Sequence, residues 1–478
     1  MVYEKKDRTR LSAYKEIPFL YSVWYIFLLA VFAYLTWFFG VGVYGVFVIL
    51  ILCGFILAAC RDLTPAIPFA FLVPQFFSGR ESAAGGYLFY IVGFSFIIVG
   101  FVIHLVRFRP FVNYGKVKGF PSALFFAGIA IALGGITIPH RSVYPALICV
   151  GCGLIFAFAG FFIAGTFGKD GKERLVKIVI ATVLMASVLA VVQMFTVIFR
   201  TGNPIEAIKN KYQIDTGYGH PNYLANIISR SIPIAVWLSV RNKKGSPLWL
   251  FFAFFLGICI FLTSSRAVIL VALVLSLVCL IYFFPKLENK LPWLCCLAML
   301  IGVTMIGLGA LGDKVAKLFA TISKNGFNSS GRFTLWKLGL KRFSEHPIFG
   351  VGFDYDLGGR TALNPTNTPY TPYWYHNTVV QMLCSTGIFG TICFVPYFIH
   401  QYRTMFIVKS NAVAALAFVL VTIQAISLLD IAFFTPQEFL QMILITTAGV
   451  KMLPQDKGNS VFYAVKNKIK LKSQTTKS

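Results

Sequence analysis

Arg230, Arg266, Arg332 and His376 are the residues of this sequence whose type and setting could do chemistry. A guanidinium grips phosphate oxygens through paired N–H donors, and an imidazole, titrating near neutrality, is suited to accept a proton. The segment GYGHPNYLANIISRSIPIAVWL spaces Asn222, Asn226 and Arg230 four residues apart, along one helical face that enters an apolar run. Arg230 then lies roughly 12 Å along the helix from Asn222, deep enough for an unpaired guanidinium to cost several kcal/mol in lipid. It must meet an anion, water, or a carboxylate such as Asp430 or Glu438 near the ends of late apolar runs. Because ionisable residues inside a membrane are functional by default, the stripe of Asn222, Asn226 and Arg230 is expected to bind substrate.

Arg266 stands in FLTSSRAVIL, where Ser264 and Ser265 are expected to cap the following helix. A phosphate there would meet both backbone amides and the guanidinium, although a snorkelling arginine has the same pattern. In the long segment from Asp313 to Tyr375, Asn328-Ser329-Ser330-Gly331 supplies cap residues for an amphipathic helix from Arg332 to Phe343, expected to lie in the interface. Pro347, Gly350 and Gly352 then force turns. The stretch LNPTNTPYTPYWY reads as an aromatic belt or a sugar-stacking platform. His376-Asn377 opens the next run, which makes His376 the first candidate for a general base. His220 competes for that role. His104 and His400, at the opposite ends of their runs, do not.

These residues need a membrane scaffold to hold them. Of 478 residues, 57% are hydrophobic and 13% charged, more apolar surface than a soluble protein of this length can hide. Apolar runs fall near 17–39, 41–60, 63–77, 86–106, 120–138, 143–167, 175–199, 222–240, 246–263, 267–284, 291–312, 376–400, 411–429 and 436–453. The expected fold is an all-α bundle of about 12–14 spans with one long extracytoplasmic loop. The run at 63–77 is the weakest candidate span: it is short and carries Pro65, Pro68 and Pro74, which leaves a re-entrant segment as the alternative to a crossing. The first run is too long for a signal peptide and is read as a retained span.

With the N-terminus placed in the cytoplasm, inner Lys and Arg outnumber outer ones about two to one, which supports an orientation with both termini cytoplasmic. Much of the net charge of +26 is therefore topology signal. The tail Lys466–Lys472 is expected against anionic lipid, and with no aromatic stacking pattern beside it, nucleic acid is not an expected partner. All ten cysteines lie in apolar runs and read as core packing, Cys149 and Cys152 included. The only close acidic pair of the outer loop, Asp354 and Asp356, makes a poor magnesium cage, so neither metal nor cofactor is expected.

GHPNYLAN, TSSRA, GRFTLW followed by HPIFGVGFD, and HNTVVQMLCSTGIFG, in this order on one side of the membrane, resemble the O-antigen ligase and polymerase family. The resemblance covers about 220–400. It implies a metal-independent membrane glycosyltransferase that moves glycan from an undecaprenyl-diphosphate carrier to an acceptor hydroxyl on a glycan, lipid or protein. It also maps the family's loop histidine to His376 and its arginines to Arg266 and Arg332. Asn222, Asn226, Arg230, His220 and Asn377 are expected around the substrate. The implied division is an N-terminal bundle (1–200), a catalytic core (201–410) including the outer loop 313–375, C-terminal spans (411–453) and a basic cytoplasmic tail (454–478). Ligase and polymerase stay open. A lipid-linked glycan flippase or other transporter is the alternative from another class, although no internal repeat is visible.

Overall fold

A computed structural model describes residues 17–79, 86–108, 119–137, 143–210, 213–217, 220–241, 246–288, parts of 290–320, 331–352, 375–408, 410–430 and 435–453. The Lys466–Lys472 tail, Asp354 and Asp356, and the proline- and tyrosine-rich stretch before Tyr375 lie outside these residues.

The described chain is helical: α1 (Val23–Phe39), α2 (Gly42–Ala59), α3 (Ile67–Leu72), α4 (Gly86–Phe108), α5 (Phe120–Leu133), α6 (Val143–Thr166), α7 (Lys172–Arg200), α8 (Pro204–Lys209), α9 (Pro221–Ser229), α10 (Ser231–Arg241), α11 (Ser246–Leu262), α12 (Arg266–Phe283), α13 (Arg332–Glu345), α14 (Thr378–Ile407), α15 (Asn411–Ser427) and α16 (Pro436–Lys451). Among the described residues six helices are long and apolar enough to cross a bilayer: Gly42–Ala59, Leu88–Phe108, Lys172–Arg200, Pro221–Arg241, Arg266–Lys286 and Thr378–Arg403. α1, α5, α11 and α15 are apolar but shorter, as is the described stretch Ala157–Thr166 of α6. The protein is a polytopic helical membrane bundle.

Contacts sort the helix ends into two layers, alternating along the chain as successive crossings require. In one layer, Asp62 at the end of α2 accepts hydrogen bonds from Thr64 N (2.9 Å), Thr64 Oγ1 (2.6 Å), Gly168 N (3.0 Å) and Asp170 N (3.0 Å). Lys451 Nζ reaches Ala164 O at 2.6 Å in the same layer. In the other, Trp37 Nε1 donates to Thr216 O at 2.7 Å and Asn222 Nδ2 to Asp430 Oδ2 at 3.1 Å.

The segment 63–77 joins these layers, as a span and not as a re-entrant loop. Leu63 N bonds Thr166 O at 3.3 Å in the first, and Gly79 lies against the backbone of Gly217 in the second. Prolines break it into α3 and flanking 3-10 turns at Thr64–Ala66 and Val73–Phe76. Pro74 has no N–H to give the carbonyl of Ala70, and Gln441 Nε2 of α16 takes that carbonyl at 2.7 Å. Gln193 Nε2 of α7 likewise takes the Gln75 carbonyl at 2.7 Å. A broken helix can cross because protein side chains satisfy its freed backbone.

The long loop re-enters the bundle at a second break. α14 is interrupted at Gly387 (φ 64°, ψ −166°), a backbone region closed to a residue with a Cβ. The HPIFGVG loop fills the gap: Val351 N and Gly352 N donate to the carbonyls of Cys384 (2.7 Å) and Ser385 (2.9 Å). In return Ile388 N and Phe389 N donate to Pro347 O (2.9 Å) and Ile348 O (3.1 Å). Gly350 packs so closely that a Cβ would stand 2.3 Å from the Cys384 carbonyl oxygen. Each backbone group left bare here would cost several kcal/mol, so the loop and the break specify one another.

α13 forms where amphipathicity placed it. Leu335, Trp336 and Leu338 pack on Val351, Tyr375, Val380 and Cys384, while Phe333 and Leu340 stay exposed. Arg332 is thereby carried to the N-terminal end of α14, where it and His376 meet the same carboxylate, Asp430.

Candidate active site

His376 sits one residue before the N-cap of α14 with φ 51°. Among the described residues only Ser264, at φ 55°, shares a positive φ without being glycine, and it lies two residues before Arg266. Such strain persists only where the surroundings over-determine it. Around His376 they do. Tyr375 N donates to Gln381 Oε1 (3.1 Å), and Thr378 Oγ1 to Ser427 O (3.0 Å). Asn377 Oδ1 accepts from the amides of Val379 (2.9 Å) and Val380 (3.0 Å), while its Nδ2 donates to Leu428 O at 2.9 Å.

His376 Nδ1 lies 2.9 Å from Asp430 Oδ1, in the turn after α15. A carboxylate can only accept, so Nδ1 carries a proton, and in the neutral form of the ring the lone pair is on Nε2. Asp430 also takes the Asn222 amide and lies 3.7 Å from an Arg332 guanidinium nitrogen. Burial would raise the Asp430 carboxyl; His376, Arg332 and Asn222 overcome it and hold the group below its ordinary value. Arg332 is lowered by burial and by nearby Arg266, with Asp430 opposing. Arg266 itself has no hydrogen bond or ion pair among the described residues. One guanidinium thus faces the carboxylate and a second stands near the first, leaving net positive charge beside a half-exposed imidazole.

The structure therefore gathers His376, Arg332, Arg266 and Asn222, and reassigns the rest. Arg230 does not face this space. Its guanidinium is buried against Glu438 and Gln441 of α16, with Asn226 Oδ1 3.4 Å from Nε. The carboxylate partner wins over the substrate-facing reading because a neutral pair meets the depth that a lone guanidinium could not. Asn226, 2% exposed, is consumed in that contact. Asn377 is not free for substrate either, since both ends of its amide hold α14. His220 N-caps α9, its Nδ1 accepting from Asn222 N at 3.2 Å, and that occupation weakens it as a base. Ser265 occupies the N-cap of α12 as expected, but its hydroxyl makes no capping bond.

The residue that sequence reasoning undervalued is Asp430. In the sequence it stands out only as a partner for Arg230, and nothing in its surroundings, LLDIAFFTP, marks it as the partner of a histidine that the chain brings from the far end of two helices. Among the described residues no group of three or more His, Cys, Asp or Glu side chains could hold a metal.

A histidine, a carboxylate and two arginines thus gather at one face of a polytopic helical bundle, where their net positive charge is complementary to an anion. Residues 251–395 match the family model for O-antigen ligase. That stretch contains Arg266, Arg332, His376 and both halves of the interlocked break at Gly387. Asn222 and Asp430 fall outside it, as does GHPNYLAN, so the match is narrower than the resemblance read from the motifs. No match to a curated protein was found.

Proposed function

We propose that the protein transfers glycan from an undecaprenyl-diphosphate carrier to an acceptor hydroxyl at the extracytoplasmic face of a bacterial plasma membrane. The observation that carries the reading is the 2.9 Å contact between His376 and Asp430 beside Arg332, within reach of the charge of Arg266. His376 Nε2 accepts the proton of the acceptor hydroxyl as that oxygen bonds to the sugar C1. Asp430 keeps the ring in the Nδ1–H tautomer and stabilises the imidazolium that forms. The C1–O bond to the diphosphate breaks with its electron pair, and the charge gained by the lipid diphosphate falls to Arg266 and Arg332. Interactions that strengthen as this charge develops raise kcat more than they lower KM. The layer holding the site is outermost if the two-to-one bias of Lys and Arg toward the opposite layer follows the positive-inside rule.

The test is transfer from a defined undecaprenyl-diphosphate oligosaccharide by purified wild type, His376→Ala, Arg266→Ala and Arg332→Ala, with folding verified. The reading expects loss in all three. Near-normal product from each variant would end it, as would carrier translocation by wild type without any glycosidic product.

A further inference from the structure

Arg230 lies two helical turns below the site, in a neutral pair, where it cannot supply charge to a leaving diphosphate. Its place between two helices gives it another role, which rests on the function proposed above. α9 carries Asn222, the donor to Asp430 Oδ2, and Arg230 follows on the same face. α16 carries Glu438 and Gln441 and begins just after the turn that holds Asp430. The two helices are joined as a ladder. Near the membrane surface Tyr223 Oη donates to Gln437 Oε1 at 2.9 Å. Beneath it Arg230 bridges Glu438, 0% exposed, and Gln441. Gln441 in turn holds the Ala70 carbonyl that Pro74 leaves bare, so the rung is tied to the broken helix α3 as well.

We propose that Arg230 and Glu438 are positioning residues: by clamping α9 to α16, they hold Asn222 and Asp430 in the register that aims His376. The pair touches no substrate. Breaking one side leaves a buried charge without its counter-ion, whereas replacing both by apolar side chains removes the charge and keeps the packing. The double variant therefore separates positioning from simple loss of fold.

The experiment compares purified wild type with Arg230→Lys, the double variant Arg230→Met/Glu438→Met, and His376→Ala, using the defined undecaprenyl-diphosphate oligosaccharide and normalising to folded protein. A clamp whose loss lets the site drift by an ångström lowers kcat by about tenfold to a hundredfold in the double variant, with donor KM within about twofold. Arg230→Lys, which keeps the charge on Glu438 but not the second contact to Gln441, falls between that variant and wild type. If the double variant is not recovered folded, Arg230→Lys and Gln441→Leu decide by the same split between kcat and KM. Wild-type turnover in the folded variants would overturn the proposal and leave the pair as packing. A large rise in donor KM with kcat kept would also overturn it, by placing Arg230 on the donor. Activity retained in His376→Ala would instead sink the functional reading itself.

Discussion

Asp62 and Asp430 stand in opposite layers of the bundle, and the contrast between them separates scaffold from chemistry. Asp62 is wholly buried and satisfied by three backbone amides and one hydroxyl, none of which titrates near neutrality. It staples the end of α2 to the turn between α6 and α7. Asp430 keeps 15% of its side-chain surface exposed and takes its donors from His376, Arg332 and Asn222, brought from three separate elements. A carboxylate met by fixed amides holds shape. One met by an imidazole and a guanidinium, and still partly exposed, can respond to a reacting substrate.

The sharpest way to press this contrast is at the histidine. His376→Ala removes the proposed base and is expected to lower kcat by about a thousandfold in a transfer assay, the range general base catalysis supplies. Asp430→Asn keeps the size but allows the wrong ring tautomer, and a fall in kcat of about a hundredfold or more follows, with donor KM little changed. Asp62→Asn behaves in the opposite way. One amide end must face the Asp170 N–H as donor against donor, at a cost of about 1–3 kcal/mol, so the melting temperature drops while kcat per folded molecule stays within about twofold.

Acidity sharpens the same comparison. Because the Asp430 carboxyl is held below its ordinary value, the stability from its contacts is complete above the usual carboxylate value of about 3.9 and fades only as pH falls through the depressed value. Acid inactivation that begins well above pH 5 should therefore look the same in stability scans of wild type and Asp430→Asn. The smallest expected effect is that of a chelator. Transfer by purified protein in EDTA should match that in added magnesium, and a strict requirement for a divalent ion would remove the metal-independent mechanism.

The scaffold was largely legible from hydropathy, because a bilayer demands long apolar helices and breaks announce themselves by proline and glycine. The segment with Pro65, Pro68 and Pro74 reads as irregular, with a crossing and a re-entrant loop both open. Its short length does not decide between them, and the glutamines of α7 and α16 that complete the crossing are invisible as partners in a linear reading. Arg266, Arg332 and His376 could be picked out by their positions at the ends of runs and by family motifs. What the sequence could not apportion was the two late carboxylates. Glu438 and Gln441, three residues apart on one helical face, form a plausible receptor for a deep arginine, and the spacing could have signalled it. Asp430 offers no such local pattern, since its partners come from α9, α13 and the start of α14. Asn222 shared a stripe with Arg230 in the sequence, yet the two serve different carboxylates.

The most direct measurement is the pair Asp430→Asn and Asp62→Asn, each assayed for turnover per folded molecule and for thermal stability on the same preparation. The account predicts that Asp430→Asn loses turnover by about a hundredfold or more with modest loss of stability, and that Asp62→Asn loses stability but not turnover. Equal turnover in the two variants would contradict it, because the carboxylate beside His376 would then be scaffold like its counterpart across the membrane.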